Sequence, residues 1–290
     1  MTNCNAVLDT DTYNEVDDQF ALAHLLLSPD RVNLRAVYAA PFHNRRSNGP
    51  ADGMEKSHDE ILRVLDLVRP AVRPPVLRGA PKFLPAAGDA VPSAAVSDLI
   101  DRARATPDGQ RLQVVAIAAI TNIASALLLA PDIAAKIHLT WLGGHAPWWP
   151  DTDEFNLAQD CHAARAVLDS AAPLTLIPCL PVASHLSTTP AELRALLAPT
   201  GRLGAYLTDI VSDYLGAKPA GSKIIWDLAA SARLIIPAAL KTVPAPAPVL
   251  RDNLTWQSPP PAGRRAIDLA ISVDRDAVFA DFFRKTATIK

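Results

Sequence analysis

Short apolar runs alternate along this chain with longer stretches whose apolar residues recur at helical spacing. Ala6–Asp9 reads as a strand, followed by a polar turn and an apolar-rich helix from about Asp18 to Leu27. Arg31–Ala39 reads as a second strand, and Gly53–Val68 as a helix with Ile61, Leu62, Leu65 and Val68 on one face. The alternation continues through strand Leu112–Ala118, helix Ala124–Leu129, strand His138–Gly143, helix Ala158–Leu168 and strand Pro173–Cys179. Pro190 to Pro237 is mostly helical in pattern, Ala266–Val273 is a late strand and Arg275–Lys285 a terminal helix. Strands that alternate with helices pair in parallel through crossover connections. Strands apolar on both faces belong where helices cover both sides of a sheet. The pattern predicts an α/β protein with an open, mainly parallel, Rossmann-like sheet. The proline-rich stretches Pro70–Pro92 and Pro244–Pro261 read as long loops over one domain, 1–290, because no change of composition separates two cores. Ligands of such sheets bind at the carboxyl ends of the strands.

With 290 residues, 49% of them apolar, the chain can bury one large core. A net charge of −2 and scattered basic residues give no footprint for nucleic acid. Cys4, Cys161 and Cys179 are odd in number and far apart, so neither a disulfide framework nor a zinc site is indicated, and a reducing compartment fits. Met1–Ala6 lacks a basic region followed by an apolar stretch. The longest apolar run, Val114–Ala130, is broken by Thr121, Asn122 and Ser125, so no membrane span is expected. The expectation is a cytoplasmic protein.

Chemistry concentrates after the first strand. Asp9, Asp11, Asp17, Asp18 and Glu15 fall within ten residues. Carboxylates held together repel, and protons or a cation must neutralise some of them. The candidate ligands are all oxygens, which selects a hard cation, calcium or magnesium, over zinc. Capping of the following helix accounts for Asp17 or Asp18, but not for Asp9 and Asp11 at the strand end.

A strand ending in Asp-x-Asp resembles two families. Asp9, Asp11 and Thr12 match the Asp-x-Asp-x-Thr pattern of the haloacid-dehalogenase phosphatases, in which the first Asp is a nucleophile and the metal is magnesium. Asp9, Asp11 and the pair Asp17-Asp18 leading into Gln19-Phe20-Ala21-Leu22 resemble the opening of the inosine–uridine type nucleoside hydrolases. Here that family's Pro-Gly turn is missing, and two more residues separate Asp11 from Asp17. Asn14 is suited to the left-handed position that Gly would fill. Three later segments follow the hydrolase order: Ile120-Thr121-Asn122, then Gly143-Gly144 with Glu154-Phe155-Asn156, then Trp226-Asp227. The phosphatases supply no reason for the last two.

The hydrolase resemblance implies calcium-dependent cleavage of the N-glycosidic bond of a ribonucleoside, on the nucleoside hydrolase fold. Calcium would be held by Asp11, Asp18, the Thr121 carbonyl and Asp227, with Asp17 as general base and Asp9 in support. Glu154 and Asn156 would meet ribose hydroxyls, Phe155 would wall the sugar, and Asn14, Asp17 and Asp227 would border the substrate. Trp226 stands where many members carry a leaving-group His, which is similar to the purine-preferring branch, where a π-face stabilises a cationic ring. That implies purine ribosides ahead of pyrimidine ones. The Gly-Asn that usually precedes Glu-Phe-Asn is replaced by His145-Ala146-Pro147-Trp148-Trp149-Pro150. His43, His58 and His145 are candidates for the leaving-group acid. A riboside-binding relative without activity is the other alternative. By resemblance the partner is a small nucleoside and the assembly a homodimer or homotetramer.

Overall fold

The computed structural model describes residues 3–218 and 220–289, so the first two residues of the N-terminal stretch read above lie outside it. In chain order the first half runs β1 (Cys4–Thr10), α1 (Asp18–Leu26), β2 (Val32–Ala39), α2 (Pro50–Val68), β3 (Val76–Arg78), α3 (Ala94–Arg104), β4 (Leu112–Ala116), α4 (Thr121–Leu129) and β5 (Ile137–Leu142). It continues with α5 (Phe155–Gln159), α6 (Cys161–Asp169), β6 (Leu174–Ile177), β7 (Ser187–Thr188), α7 (Pro190–Leu196), α8 (Arg202–Leu215), β8 (Lys223–Ile224), α9 (Leu228–Ile235), β9 (Leu240–Pro246), β10 (Ala266–Val273) and α10 (Arg275–Thr286).

One eight-stranded sheet has the order β3-β2-β1-β4-β5-β6-β10-β9, and every neighbour pair is parallel except β9 against β10. The period of two along each strand feeds two separate cores. Ala6 and Leu8 of β1 and Val115 of β4 enter the core covered by α1, α2, α9 and α10. Val7, Val114 and Ala116 enter the opposite core, under α3, α4 and α6. Strand order reverses between β1 and β4, which opens a crevice beyond their carboxyl ends.

Five elements escaped the sequence pattern, two of them the two-residue strands β7 and β8. β3 is only three residues long and lies in a proline-rich stretch. β9 contains Pro244 and Pro246, which a strand tolerates at the edge of a sheet, where β9 lies. α3, capped by Ser93, lies between Pro92 and Leu112, where the pattern predicts no element. The single helix expected over Ala158–Leu168 is two, because Asp160 leaves helical geometry and uses its side chain to accept from Ala163 N at 2.9 Å as the cap of α6. Among the described residues no helix is long and apolar enough to cross a membrane.

α1 is buried on every side. It therefore needs internal partners for its one imidazole. His24 Nδ1 lies 2.9 Å from Ser231 Oγ on α9, and its Nε2 lies 2.9 Å from Asp281 Oδ2 on α10. Lys285 Nζ joins Asp281 at 2.6 Å. Burial alone would raise the Asp281 carboxyl, but the bonds from His24 and Lys285 hold it well below the usual carboxylate range. A lowered folded-state value adds stability above the unfolded-state value of about 3.9, and that stability is lost as pH falls below it. Asp281→Asn is expected to be less stable than wild type at pH 7, with the gap narrowing below about pH 4. Urea unfolding of both proteins across that range checks it; a gap independent of pH would contradict the account.

Candidate active site

β1 ends at Thr10, and the turn 11–17 carries the chain into α1. The strand's burial commits the adjoining aspartates to the interior. Asp9, Asp11 and Asp18 are fully buried and Asp17 nearly so. Thr10 Oγ1 donates to Asp18 Oδ1 at 2.5 Å and lies 2.8 Å from Thr12 Oγ1. Gln19 Nε2 donates to the Thr12 carbonyl at 2.7 Å, pinning the turn to α1. Asn122, in the first turn of α4, donates from Nδ2 to Asp9 Oδ1 at 2.7 Å and accepts from Ala80 N at 2.8 Å. Gly79 is required beside it: a Cβ there would lie 2.4 Å from Asn122 Nδ2 and 2.2 Å from the Ala39 carbonyl oxygen.

Asp227, just before α9, closes the cluster from the other side. One carboxylate oxygen each from Asp17, Asp18 and Asp227 fall within 4.8 Å of one another. Both oxygens of Asp11, and the second oxygens of Asp9 and Asp18, are buried with no hydrogen-bond partner. Burial pushes Asp9 up to about 7 and Asp18 up to about 8, the latter with help from the Asp17 charge. Burial and the Asp18 charge raise Asp11 well above its ordinary value, and burial and the Asp17 charge do the same for Asp227. Asp17 is raised by burial only to about 6, because Lys223 opposes the rise. Unpaired buried carboxylates cost several kcal/mol each, and an all-oxygen donor set with orphaned lone pairs fits a hard cation.

A cavity of about 320 Å3 lies against this cluster. Asn14, Glu15, Asp17, Asp18, Trp226 and Asp227 form one wall. Leu142, His145, Asp153, Glu154, Phe155 and Asn156 form the other, above Ile117, Cys179 and Leu180. The second wall depends on the glycine pair after β5. A Cβ at Gly143 would meet the Trp141 ring at 2.4 Å, and Gly144 has a φ of +68° with Thr152 Oγ1 2.6 Å from its missing Cβ. Glu154 caps α5: its Oε2 accepts from Gly144 N at 2.7 Å and Leu157 N at 3.1 Å, and its Oε1 from Asn156 N at 3.0 Å. Asn156 Nδ2 donates to the Leu142 carbonyl at 3.1 Å. Helix capping and a place on the cavity wall thus hold together for Glu154.

The structure brings Asn14, Asp17, Asp18, Glu154, Phe155, Asn156, Trp226 and Asp227 to one cavity, with Asp11 buried beside Asp18 and Asp9 buried on the Asn122 amide, neither of them in the lining. It does not bring Thr121 there. Thr121 is the first residue of α4, so its carbonyl runs along the helix axis, and its hydroxyl donates to Asp160 Oδ2 at 2.7 Å. The residue of that segment that borders the cavity is Ile117, at the end of β4, hidden from sequence reasoning because a backbone oxygen leaves no side-chain signal. Trp148 and Trp149 are exposed and neither lines the cavity; Trp149 makes an edge contact with the His145 ring at 6.5 Å between centroids. His145 Nδ1 accepts from Leu180 N at 3.3 Å. His43 is exposed and His58 lies on α2, neither on the cavity wall. Asn44, in the loop after β2, also borders the cavity and donates to the Asn14 carbonyl at 3.1 Å. Lys223 and Tyr214, behind the first wall, were not anticipated.

The model of the inosine-uridine preferring nucleoside hydrolase family matches residues 6–280. The chain belongs to that family. The hydrolase also superposes on solved structures over nearly its full length. An inosine-guanosine nucleoside hydrolase matches with a TM-score of 0.79 and 19% identity, covering 99% of this chain and all of that one. A purine-preferring ribonucleoside hydrolase from Gardnerella vaginalis gives 0.73 and 23%, covering 98% of each chain. The inosine-uridine preferring nucleoside hydrolase of Bacillus anthracis gives 0.68 and 18%, covering 99% of this chain and 100% of that one. Comparison with curated protein sequences found no match. The protein is therefore an N-ribosyl hydrolase acting on ribonucleosides. The phosphatase alternative also fails on geometry, since its nucleophile would be Asp9, which is fully buried and tied to Asn122.

Asn122 carries two buried bonds in opposite directions, so Asn122→Ala strands both Asp9 and the Ala80 N–H. A loss of about 2–6 kcal/mol in urea unfolding is expected, since two buried groups lose their partner and each costs about 1–3 kcal/mol. A neutral result would show that Asp9 is not held by this side chain.

Proposed function

We propose that this hydrolase is calcium-dependent and favours purine ribonucleosides. The observation that carries the metal is the convergence of Asp17, Asp18 and Asp227 beside the two unpartnered oxygens of Asp11. Asp11, Asp18 and Asp227 would hold the ion, with a backbone oxygen from the end of β4, at Ile117, in the place first given to Thr121. Calcium accommodates six to eight oxygens, and when bound it supplies the positive charge that acidifies water and fixes ribose hydroxyls.

The remaining chemistry belongs to the side chains. Asp17 borders the cavity and takes the proton from the attacking water. Asp11 is the second candidate for that role, because both of its oxygens lack a protein partner. Glu154 keeps lone pairs beyond its three backbone bonds, and Asn156 keeps its amide oxygen and one N–H, so the pair offers the acceptors and the donor that ribose hydroxyls need. The carboxylates around the sugar stabilise an oxocarbenium-like transition state as positive charge develops. Phe155 walls the sugar and Trp226 offers a π-face to the base, where a protonated purine ring is stabilised. Glu15, Asp17, Asp18, Asp153, Glu154 and Asp227 all border the cavity, and no Lys or Arg does among the described residues. A 5′-phosphate would meet like charge there, so nucleosides are accepted and nucleotides rejected.

Two outcomes are expected. Release of free base from inosine is abolished by chelation and restored by calcium, and Asp17→Ala lowers kcat by about 10²–10⁴-fold; calorimetry on Asp17→Asn and Asp11→Asn separates base from ligand, because only the latter loses calcium binding. In a nucleoside panel, kcat/KM for inosine and guanosine exceeds that for uridine, and Trp226→Ala narrows the difference; faster turnover of uridine by wild type would remove the stacking argument.

A further inference from the structure

Resting on the hydrolase reading of the site, we propose that Lys223 is a positioning residue for Asp17, held in place by Glu15 from the lengthened turn. Lys223 sits on the two-residue strand β8 and is almost fully buried. Its ammonium donates to Glu15 Oε2 at 2.7 Å and to the Ile224 carbonyl at 2.7 Å, and it lies 3.5 Å from Asp17 Oδ2. The same Asp17 oxygen accepts from Trp226 N at 3.2 Å. A hydrogen bond and an ion pair therefore converge on Oδ2, which restrains the carboxylate and leaves Oδ1 for the reaction.

Lys223 does not border the cavity, so it acts on substrate through the two carboxylates it joins, Asp17 and Glu15, which do. The anchor is built from several elements. Tyr214 of α8 donates its hydroxyl to Glu15 Oε1 at 2.7 Å. Arg46 Nη1 donates to the Glu15 carbonyl at 2.6 Å, and its guanidinium lies 4.4 Å over the Tyr13 ring. Glu15 lies in the turn 11–17, which is two residues longer than the family's opening pattern and has no Pro-Gly. A buried lysine costs desolvation energy that an apolar side chain of similar size would avoid. Its retention beside Asp17 is accounted for by the charge it places there, opposite the carboxylates of Asp18 and Asp227.

Steady-state kinetics on inosine with calcium test this, with thermal unfolding measured on every variant. Lys223→Met is expected to lower kcat by about 10–100-fold, the range for loss of a group that orients a ligand or base, with KM changed by less than about threefold. Lys223→Arg, which keeps the charge, recovers most of the loss. In the Asp17→Asn background, Lys223→Met lowers the residual rate by less than about twofold, since a residue acting through Asp17 is not additive with its loss. Glu15→Gln, which leaves the lysine in place but removes its anchoring charge, gives a smaller fall in kcat and serves if Lys223→Met does not fold. An equal loss with and without Asp17, or a loss that follows the unfolding temperature through all variants, would overturn the proposal. If wild type releases no base from any nucleoside, the hydrolase reading fails separately. The crystal structure of Lys223→Met or Glu15→Gln then decides, because an Asp17 carboxylate unmoved on the Trp226 N–H in either variant refutes positioning by Lys223.

Discussion

The structure is organised around negative charge buried where the sheet reverses its order. A central strand that ends in Asp9 and Asp11, continued by a helix that begins at Asp18, forces carboxylates into a region with little water. Their desolvation would unfold a domain if it were left uncompensated. Each neighbouring element offsets a part: Thr10 on Asp18, Asn122 on Asp9, the Trp226 N–H and Lys223 on Asp17. The lone pairs that remain, on Asp11 above all, have no protein partner. Around this deficit the ends of β1 and β4 and the start of α9 are drawn to a common point.

The opposite wall solves a different problem. It has to present polar groups without adding flexibility, and it does so with backbone. Gly143 and Gly144 let the chain pass against the Trp141 ring and turn through a left-handed conformation, which aims the Gly144 N–H at Glu154. Thr152 receives the next amide, from His145, at 2.9 Å. The cavity is thus bordered on one side by Asp17, Asp18 and Asp227, crowded against one another, and on the other by a carboxylate with three backbone partners.

Much of this was legible in the sequence where the signal is local. The strands ending at the aspartates, the helix starting at Asp18 and the late strand Ala266–Val273 follow from apolar runs and spacing, and the parallel sheet follows from their alternation with helices. Glu154-Phe155-Asn156 and Trp226-Asp227 were found because side-chain identity itself carried the pattern. What escaped depends on contacts distant in sequence. β3 and β9 are strands only because β2 and β10 lie beside them. Ile117 borders the cavity through position alone, and the Thr121 expectation went wrong because a threonine at a helix start serves Asp160 instead. Lys223 sits 206 residues beyond Asp17, and the only hint of it was a turn long enough to add Glu15.

The two margins of the sheet bear on how copies of the chain can meet. On one side β9 carries Pro244 and Pro246, neither of which has an N–H to offer a neighbouring strand. On the other, β3 ends after three residues, too few for a stable ladder. Growth of the sheet from molecule to molecule is therefore disfavoured at both margins. The same prolines that disguise a strand as a loop in the sequence keep the folded chain from templating its own aggregation.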